Sequence, residues 1–299
     1  VVLVAHGSRD PRAAVATEAL ARAVRRARPD WLVRASYLDH AGPRPIDVLA
    51  SVPASRAVLV PLLLTAAYHG RVDLPAVVRE AESLPIEVTA TDVLGPASPL
   101  LLAALCRRLS EAVSPGVDES CVLTAQQAGC VTHPGEGVTH WGGAPATGVL
   151  PGEGLLDGEG LLDGEGLLDG EGLLGGEGLL DGVVLASAGT RDEAARATVA
   201  EAAAALGRRL GLPAEVAYAS GAGPSAGEAV ARLREAGAQR VGMAAYFLAP
   251  GLLYDLAART AREAGAITVA EPLAAAPELV RLVNARVEPA LTGRLPIAA

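Results

Sequence analysis

Short apolar runs rich in Val, Leu and Ile alternate along this chain with longer stretches in which Ala, Leu and Arg recur at helical spacing. Near the start, Val1–Ala5, Leu32–Leu38, Ala57–Leu64 and Ile86–Thr91 read as strands. Arg12–Arg28, Ile46–Ser51, Leu74–Ser83 and Pro99–Ala112 read as helices between and after them. Regular alternation of the two element types predicts an α/β fold, a parallel sheet covered by helices on both faces. From residue 183 the order repeats, with strands near Val183–Ser187, Ala214–Ala219, Arg240–Leu248 and Ile267–Ala270.

The two regions also match residue by residue. Val2 to Asp10 lines up with Val183 to Asp192 to within one residue, and Ser36-Tyr37-Leu38-Asp39 lines up with Ala217-Tyr218-Ala219-Ser220. Pro61 to His69 lines up with Ala245 to Leu253. The pattern is an internal duplication of a unit of about 110 residues, the size of an ordinary domain, and such halves usually face each other across a ligand cleft. The first half is expected over 1–113 and a degenerate second half over 183–299. Residues 114–182 separate them, and Glu153 to Gly182 are five copies of the hexapeptide E-G-L-L-D-G with Gly175 replacing Asp in the fourth. Glycine with regularly spaced negative charge predicts a self-repelling flexible linker.

Charge changes the picture less than its sum suggests. The net charge is −9, but Glu153 to Gly182 hold nine acids and no base, which leaves 25 acids against 25 bases elsewhere. Every base is arginine. A nucleic-acid binder would show a basic excess on its folded part, so none is expected. No apolar run reaches the ~18–20 residues of a membrane span, and no basic segment precedes the first strand as in a secretory signal. With 51% hydrophobic residues a sizeable core is expected, and three cysteines make no disulfide framework. The expectation is a soluble, cytoplasmic protein.

Candidate chemistry gathers where strands end. His6 closes the first strand and His69 follows the third, both at the carboxyl edge where parallel sheets form ligand crevices. A single turn histidine is most often structural, but these two are replaced by Ser187 and Leu253 in the second half, which points to one working site in the first. Neutral imidazole can bind a divalent metal or take a proton near pH 7. Gly7 permits close approach of a ligand, and Ser8 or Asp10 can cap a helix that begins near Pro11 and attracts anions. Asp39 and His40 point to the same edge, although Asp39 equally suits a turn with Gly42-Pro43.

Three other motifs carry less. Gly223-Pro224-Ser225-Ala226-Gly227 matches the hydrolase nucleophile elbow, but no histidine follows His140, so Ser225 is expected to cap a helix. His6-Gly7 follows Ala5, where phosphohistidine phosphatases carry Arg. Cys121, Cys130, His133 and His140 lack the close cysteine pair of zinc sites.

Through Leu3 to Pro11 and Val60 to His69, the sequence resembles the sirohydrochlorin chelatases of the CbiX/SirB family. Asp39 stands where that family usually carries Glu. The resemblance covers nearly all of 1–113 and, in degenerate form, 183–287. It implies two duplicated Rossmann-like three-layer halves around a tetrapyrrole cleft. It also implies a lyase-type, ATP-independent enzyme of sirohaem or cobalamin synthesis that inserts Fe2+ or Co2+ into sirohydrochlorin. In that reading His6 and His69 hold the ion and accept two pyrrole protons, and Asp39 assists. Ser8, Arg9 and Arg71 are expected to anchor the substrate's carboxylates. No cofactor beyond the substrate metal ion is expected, since neither a Walker A motif nor a dinucleotide fingerprint occurs. The competing reading is a non-catalytic protein that binds or delivers a metal or tetrapyrrole.

Overall fold

Each predicted strand forms, and each is flanked by the helix that its sequence leads into. The computed structural model describes residues 1–65, 73–96, 98–113 and 179–292. Among these residues, β1 (Val2–Ala5), α1 (Pro11–Ala27), β2 (Arg34–Tyr37), α2 (Pro45–Ser51), β3 (Arg56–Leu62), α3 (Leu74–Ala81), β4 (Glu87–Ala90) and α4 (Pro99–Val113) make the first half. The second half contains β5 (Gly182–Ser187), α5 (Glu193–Leu210), β6 (Ala214–Tyr218), α6 (Ala226–Glu235), β7 (Val241–Tyr246), α7 (Leu252–Glu263), β8 (Thr268–Val269) and α8 (Pro277–Thr292).

Local chemistry sets these boundaries. Pro11 opens α1 at its first turn, Asp10 caps it by accepting the Arg12 N–H at 2.9 Å, and Arg25 and Arg26 complement the dipole at its end. Thr17, Leu20, Ala21 and Val24 fall on one face at helical spacing and are buried. In α5, Asp192 caps the start and Gly211, at φ 66°, closes the end where a side chain would be strained. β8 is only two residues long where four were expected, yet Ile267 N–H and Ala270 N–H still bond to the Val241 and Met243 carbonyls at 2.9 Å. The predicted run is thus hydrogen-bonded throughout, with its ends outside the regular ladder.

Both sheets are parallel and four-stranded, with orders β2-β1-β3-β4 and β6-β5-β7-β8. The register makes the duplication concrete: Ala5 pairs with Tyr37 and Leu62, as Ser187 pairs with Tyr218 and Tyr246. Ala5 is therefore the counterpart of Ser187, and His6 that of Ala188. The sequence alignment, loose by one residue here, had set His6 against Ser187.

The second half also takes in more of the hexapeptide array than a boundary at 183 allows. Leu180 is fully buried, Asp181 accepts the Arg240 N–H at 2.6 Å, and Gly182 opens β5. The rest of the expected linker, 114–178, lies outside the described residues, and so do Cys121, Cys130, His133 and His140.

Outer cores form on one face of each sheet, from Val4, Leu49, Leu59 and Val77 in the first half and Val184, Val230, Met243 and Tyr254 in the second. The inner core is shared. Leu3, Leu20, Leu101 and Leu105 join Leu185, Leu206, Val283 and Val287 in one cluster. Here the halves exchange helices: α4 packs on β7 and β8, while α8 packs on β3. Arg107 of α4 bonds Glu278 of α8 at 2.8 Å, and that carboxylate is almost wholly buried. Arg108 of α4 donates to the Leu273 carbonyl at 3.0 Å. Each half thus completes the other's hydrophobic layer, and both belong to one compact unit. Among the described residues no helix is long and apolar enough to cross a membrane.

Candidate functional site

In both sheets the strand order reverses at the first strand of the half, with its second strand on one side and its third on the other. Loops leaving the carboxyl ends of β1 and β3 therefore diverge, and a crevice opens between them. A cleft of about 650 Å³ lies there, within the range of small-molecule sites. His6 to Asp10, faces of α1, Tyr37 and His40 line it from the first half. Ala188, Phe247, Leu248, Pro250, Leu252 and Leu253 line it from the second. One wall carries imidazole, hydroxyl and guanidinium groups; the other is apolar.

His6 is set by backbone, beginning with its sequence neighbours. Beyond β1 the ladder continues, with Leu38 N–H bonding the Ala5 carbonyl at 2.9 Å and Asp39 N–H bonding the His6 carbonyl at 2.8 Å. The chain then turns at Gly7, whose φ is 95°. A Cβ there would stand 1.8 Å from the Asp39 carbonyl oxygen, so only glycine fits. The second half repeats this turn at Gly189, φ 90°, where a Cβ would stand 1.9 Å from the Ser220 carbonyl oxygen.

Of the predicted site residues, His6, Ser8 and Arg9 are brought together on the cleft wall. Ser8 Oγ accepts the Asp10 N–H at 3.0 Å, so it shapes the turn, and Asp10 rather than Ser8 caps α1. Arg9 is exposed at the rim. Asp39 does not line the cleft and meets it through the next residue. Its carboxylate accepts the His40 N–H at 2.7 Å and lies 3.4 Å from His40 Nε2. His69 and Arg71 lie outside the described residues.

His40 was placed at this edge by sequence but given no role there. Its ring stands edge-on to His6, with centroids 6.1 Å apart. Its backbone is left-handed, φ 60°, at a cost of about 1 kcal/mol for a residue with a Cβ. Both histidines among the described residues therefore share this cleft. Among those residues no group of three or more His, Cys, Asp or Glu is arranged to hold a metal ion.

At the rim, Arg12 spans the two halves, 2.6 Å from Asp10 and 2.5 Å from Asp255. The Arg12 side chain and backbone N–H hold the Asp10 carboxyl below its usual range. Deeper in, Tyr246 of the second half donates to the Leu64 carbonyl at 3.2 Å, fixing the exit of β3, and burial raises its phenol above the ordinary range. Sequence reasoning did not identify the apolar wall or these cross-half contacts. The alignment of Ala245–Leu253 with Pro61–His69 was the available signal, because it places Phe247 to Leu253 at the matching sheet edge.

The CbiX family profile matches residues 1–112 and 182–290. Among solved structures, SirB from Bacillus subtilis with Fe3+ is similar at TM-score 0.62 and 17% identity, covering 96% of this chain and 93% of that one. The cobalt complex of the sirohydrochlorin chelatase SirB from Bacillus subtilis subspecies spizizenii gives 0.59 and 15%, with 96% and 93% covered. CbiX, described as the terminal enzyme for biosynthesis of siroheme in denitrifying bacteria, gives 0.55 and 17%, covering 97% of this chain and 98% of that one. At these identities the structural matches establish the fold. No curated protein matches the chain by sequence.

Proposed function

The chain belongs to the CbiX family, and from that premise we propose that it is a sirohydrochlorin chelatase, inserting Fe2+ or Co2+ into sirohydrochlorin with release of two protons. One observation carries the reading: His6, at the carboxyl end of β1, faces an apolar wall from the other half across a cleft of about 650 Å³. A flat macrocycle needs that division of labour, with apolar surface along its face and nitrogen donors toward its centre. The metal ion is a substrate here, and the chemistry calls for no nucleotide and no further cofactor.

Insertion must strip water from the ion and remove two pyrrole protons. Imidazole suits both tasks at neutral pH, as a borderline ligand and as a base. In this reading His6 serves in both, with His69 as its partner from the sequence pattern. Arg9 and the α1 amino end, with Arg71 by sequence, would meet the peripheral carboxylates of sirohydrochlorin.

Steady-state insertion followed by absorbance tests the reading, with Fe2+ and Co2+ compared in parallel. An enzyme converts many equivalents of sirohydrochlorin per chain. Conversion that stops near one equivalent, with both metals, would replace it with a carrier of metal or tetrapyrrole.

A further inference from the structure

We propose that His40 is a ligand of the incoming metal ion, forming with His6 a two-imidazole capture site held in aim by Asp39. The inference rests on the chelatase reading and adds to it a residue that the strand-end pattern alone did not single out.

Three observations converge. First, the 6.1 Å between the His6 and His40 ring centroids suits two imidazoles on one ion, since metal–nitrogen bonds of ~2.1 Å put such centroids roughly 5–6.5 Å apart. Both rings line the same cleft. Second, the duplicated turn shows what the backbone alone requires. The matching position in the second half is Gly221, at φ 85°, and His40 adopts the same left-handed region at φ 60°. Glycine would satisfy the turn without strain, so the imidazole is present for something other than the turn. Third, Asp39 lies against it, with one carboxylate oxygen accepting the His40 backbone N–H at 2.7 Å and the other at ion-pair distance, 3.4 Å, from the ring Nε2. A carboxylate beside one ring nitrogen orients the ring and leaves Nδ1 as the donor for a metal. Asp39 is thus a positioning residue.

A site of few protein donors also fits the task. A chelatase must release its ion into the macrocycle, so a closed set of four ligands would hold the substrate back. His6 and His40, with His69 counted as a third imidazole, still fall short of a closed set and leave positions for water on arrival and for pyrrole nitrogen on departure.

The test measures Co2+ binding to the full chain without sirohydrochlorin, by equilibrium dialysis at about 0.15 M salt to screen loose carboxylate binding. His40→Gly installs the residue that the second half uses, so the fold is expected to persist with an equal or higher melting temperature. The variant is expected to bind Co2+ at least ~10-fold more weakly, the scale of a lost metal-site partner. In turnover, the KM for Co2+ should rise while that for sirohydrochlorin stays put. Co2+ affinity within twofold of wild type, or a rise confined to the sirohydrochlorin KM, overturns the proposal. His40→Asn, which tolerates the same backbone, guards against a folding artefact and is expected to weaken Co2+ similarly. Failure of the wild type to insert metal would overturn the chelatase reading alone, since the dialysis result stands without it.

Discussion

The two halves share a skeleton almost bond for bond and differ in what hangs on it. Asp10 and Asp192 cap equivalent helices, and Ser8 Oγ and Thr190 Oγ1 accept the N–H two residues on at 3.0 and 3.1 Å. Tyr37 N–H bonds Pro43, and Tyr218 N–H bonds Pro224, at 2.9 and 2.8 Å. On that frame His6 stands opposite Ala188, Asp39 opposite Ser220 and His40 opposite Gly221. The duplicated features are those that fix backbone; His6, Asp39 and His40, which the second half lacks, bring imidazole and carboxylate to the first. On the proposed reading, two units built alike divide a cleft into a wall that reacts and a wall that holds.

Substituting the shared glycines tests this division most severely. Gly7→Ala and Gly189→Ala each drive a Cβ to within 2 Å of a carbonyl oxygen in a left-handed turn. Strain and overpacking together should cost each about 3–6 kcal/mol in chemical denaturation. At a temperature where both variants remain folded, Gly7→Ala should also lose insertion, because the turn carries His6. Gly189→Ala should retain most of it. Equal loss of insertion in both would mean that the second half contributes more than a wall.

The start of the second half gives the next largest effect. Removing residues 153–178 should leave stability and insertion near wild type, since loop closure depends only logarithmically on length and those residues contain no His, Arg, Cys or aromatic group. Extending the deletion to 182 removes buried Leu180 and the first residue of β5. That should cost about 2–5 kcal/mol, the price of a core leucine. If the shorter deletion slowed insertion severalfold at saturating metal, the acidic repeat would have a part in metal delivery.

The wall that carries His6 comes third. His6→Ala and His69→Ala should each slow insertion at least ~100-fold, which is about 2.7 kcal/mol in the barrier. Ser220→Ala, at the Asp39 counterpart, removes only a 2.7 Å bond to the Ala188 carbonyl and should leave the rate within a few-fold. Wild-type turnover by either histidine variant, with the fold intact by circular dichroism, would move the chemistry elsewhere.

Sequence revealed the elements because their signals are local: β-branched runs between helically spaced Ala, Leu and Arg, and Asp10-Pro11 at a helix start. His6 was legible for the same reason, as a polar residue directly after an apolar run. The helix exchange was not, because α4 and α8 have apolar faces that suit either sheet and nothing in their periodicity says which. The apolar wall from Phe247 to Leu253 reads as ordinary core until the other half is set against it. His40 was seen at the sheet edge, but its significance lies in a positive φ and a neighbour across the turn, neither of which is written in composition or spacing.

The smallest expected effect bears on the same asymmetry from the side without chemistry. Gly223-Pro224-Ser225-Ala226-Gly227 has the form of a nucleophile elbow, which would give the second half a reactive serine of its own. In the fold, Ser225 caps α6: its Oγ accepts the Glu228 N–H at 3.2 Å, and the Glu228 carboxylate accepts the Ser225 N–H at 2.7 Å. Ser225→Ala should therefore cost about 1 kcal/mol of stability, as lost caps do, and leave insertion unchanged. The pH dependence carries a second signature. Bonds from the Ser225 backbone N–H and then its hydroxyl hold the Glu228 carboxyl below its ordinary range. A depressed carboxyl stabilises the fold above its unfolded pKa of about 4.3, and that contribution is lost as pH falls through the folded value. Replacing Ser225 removes the hydroxyl's share, so the stability gap between wild type and Ser225→Ala should narrow on acidification below that range. A gap that stayed constant down to the acid transition would assign the cost to Oγ on the Glu228 N–H alone. Loss of insertion in Ser225→Ala, or Ser225-dependent hydrolysis of simple esters, would instead put chemistry in the half that the comparison assigns to binding.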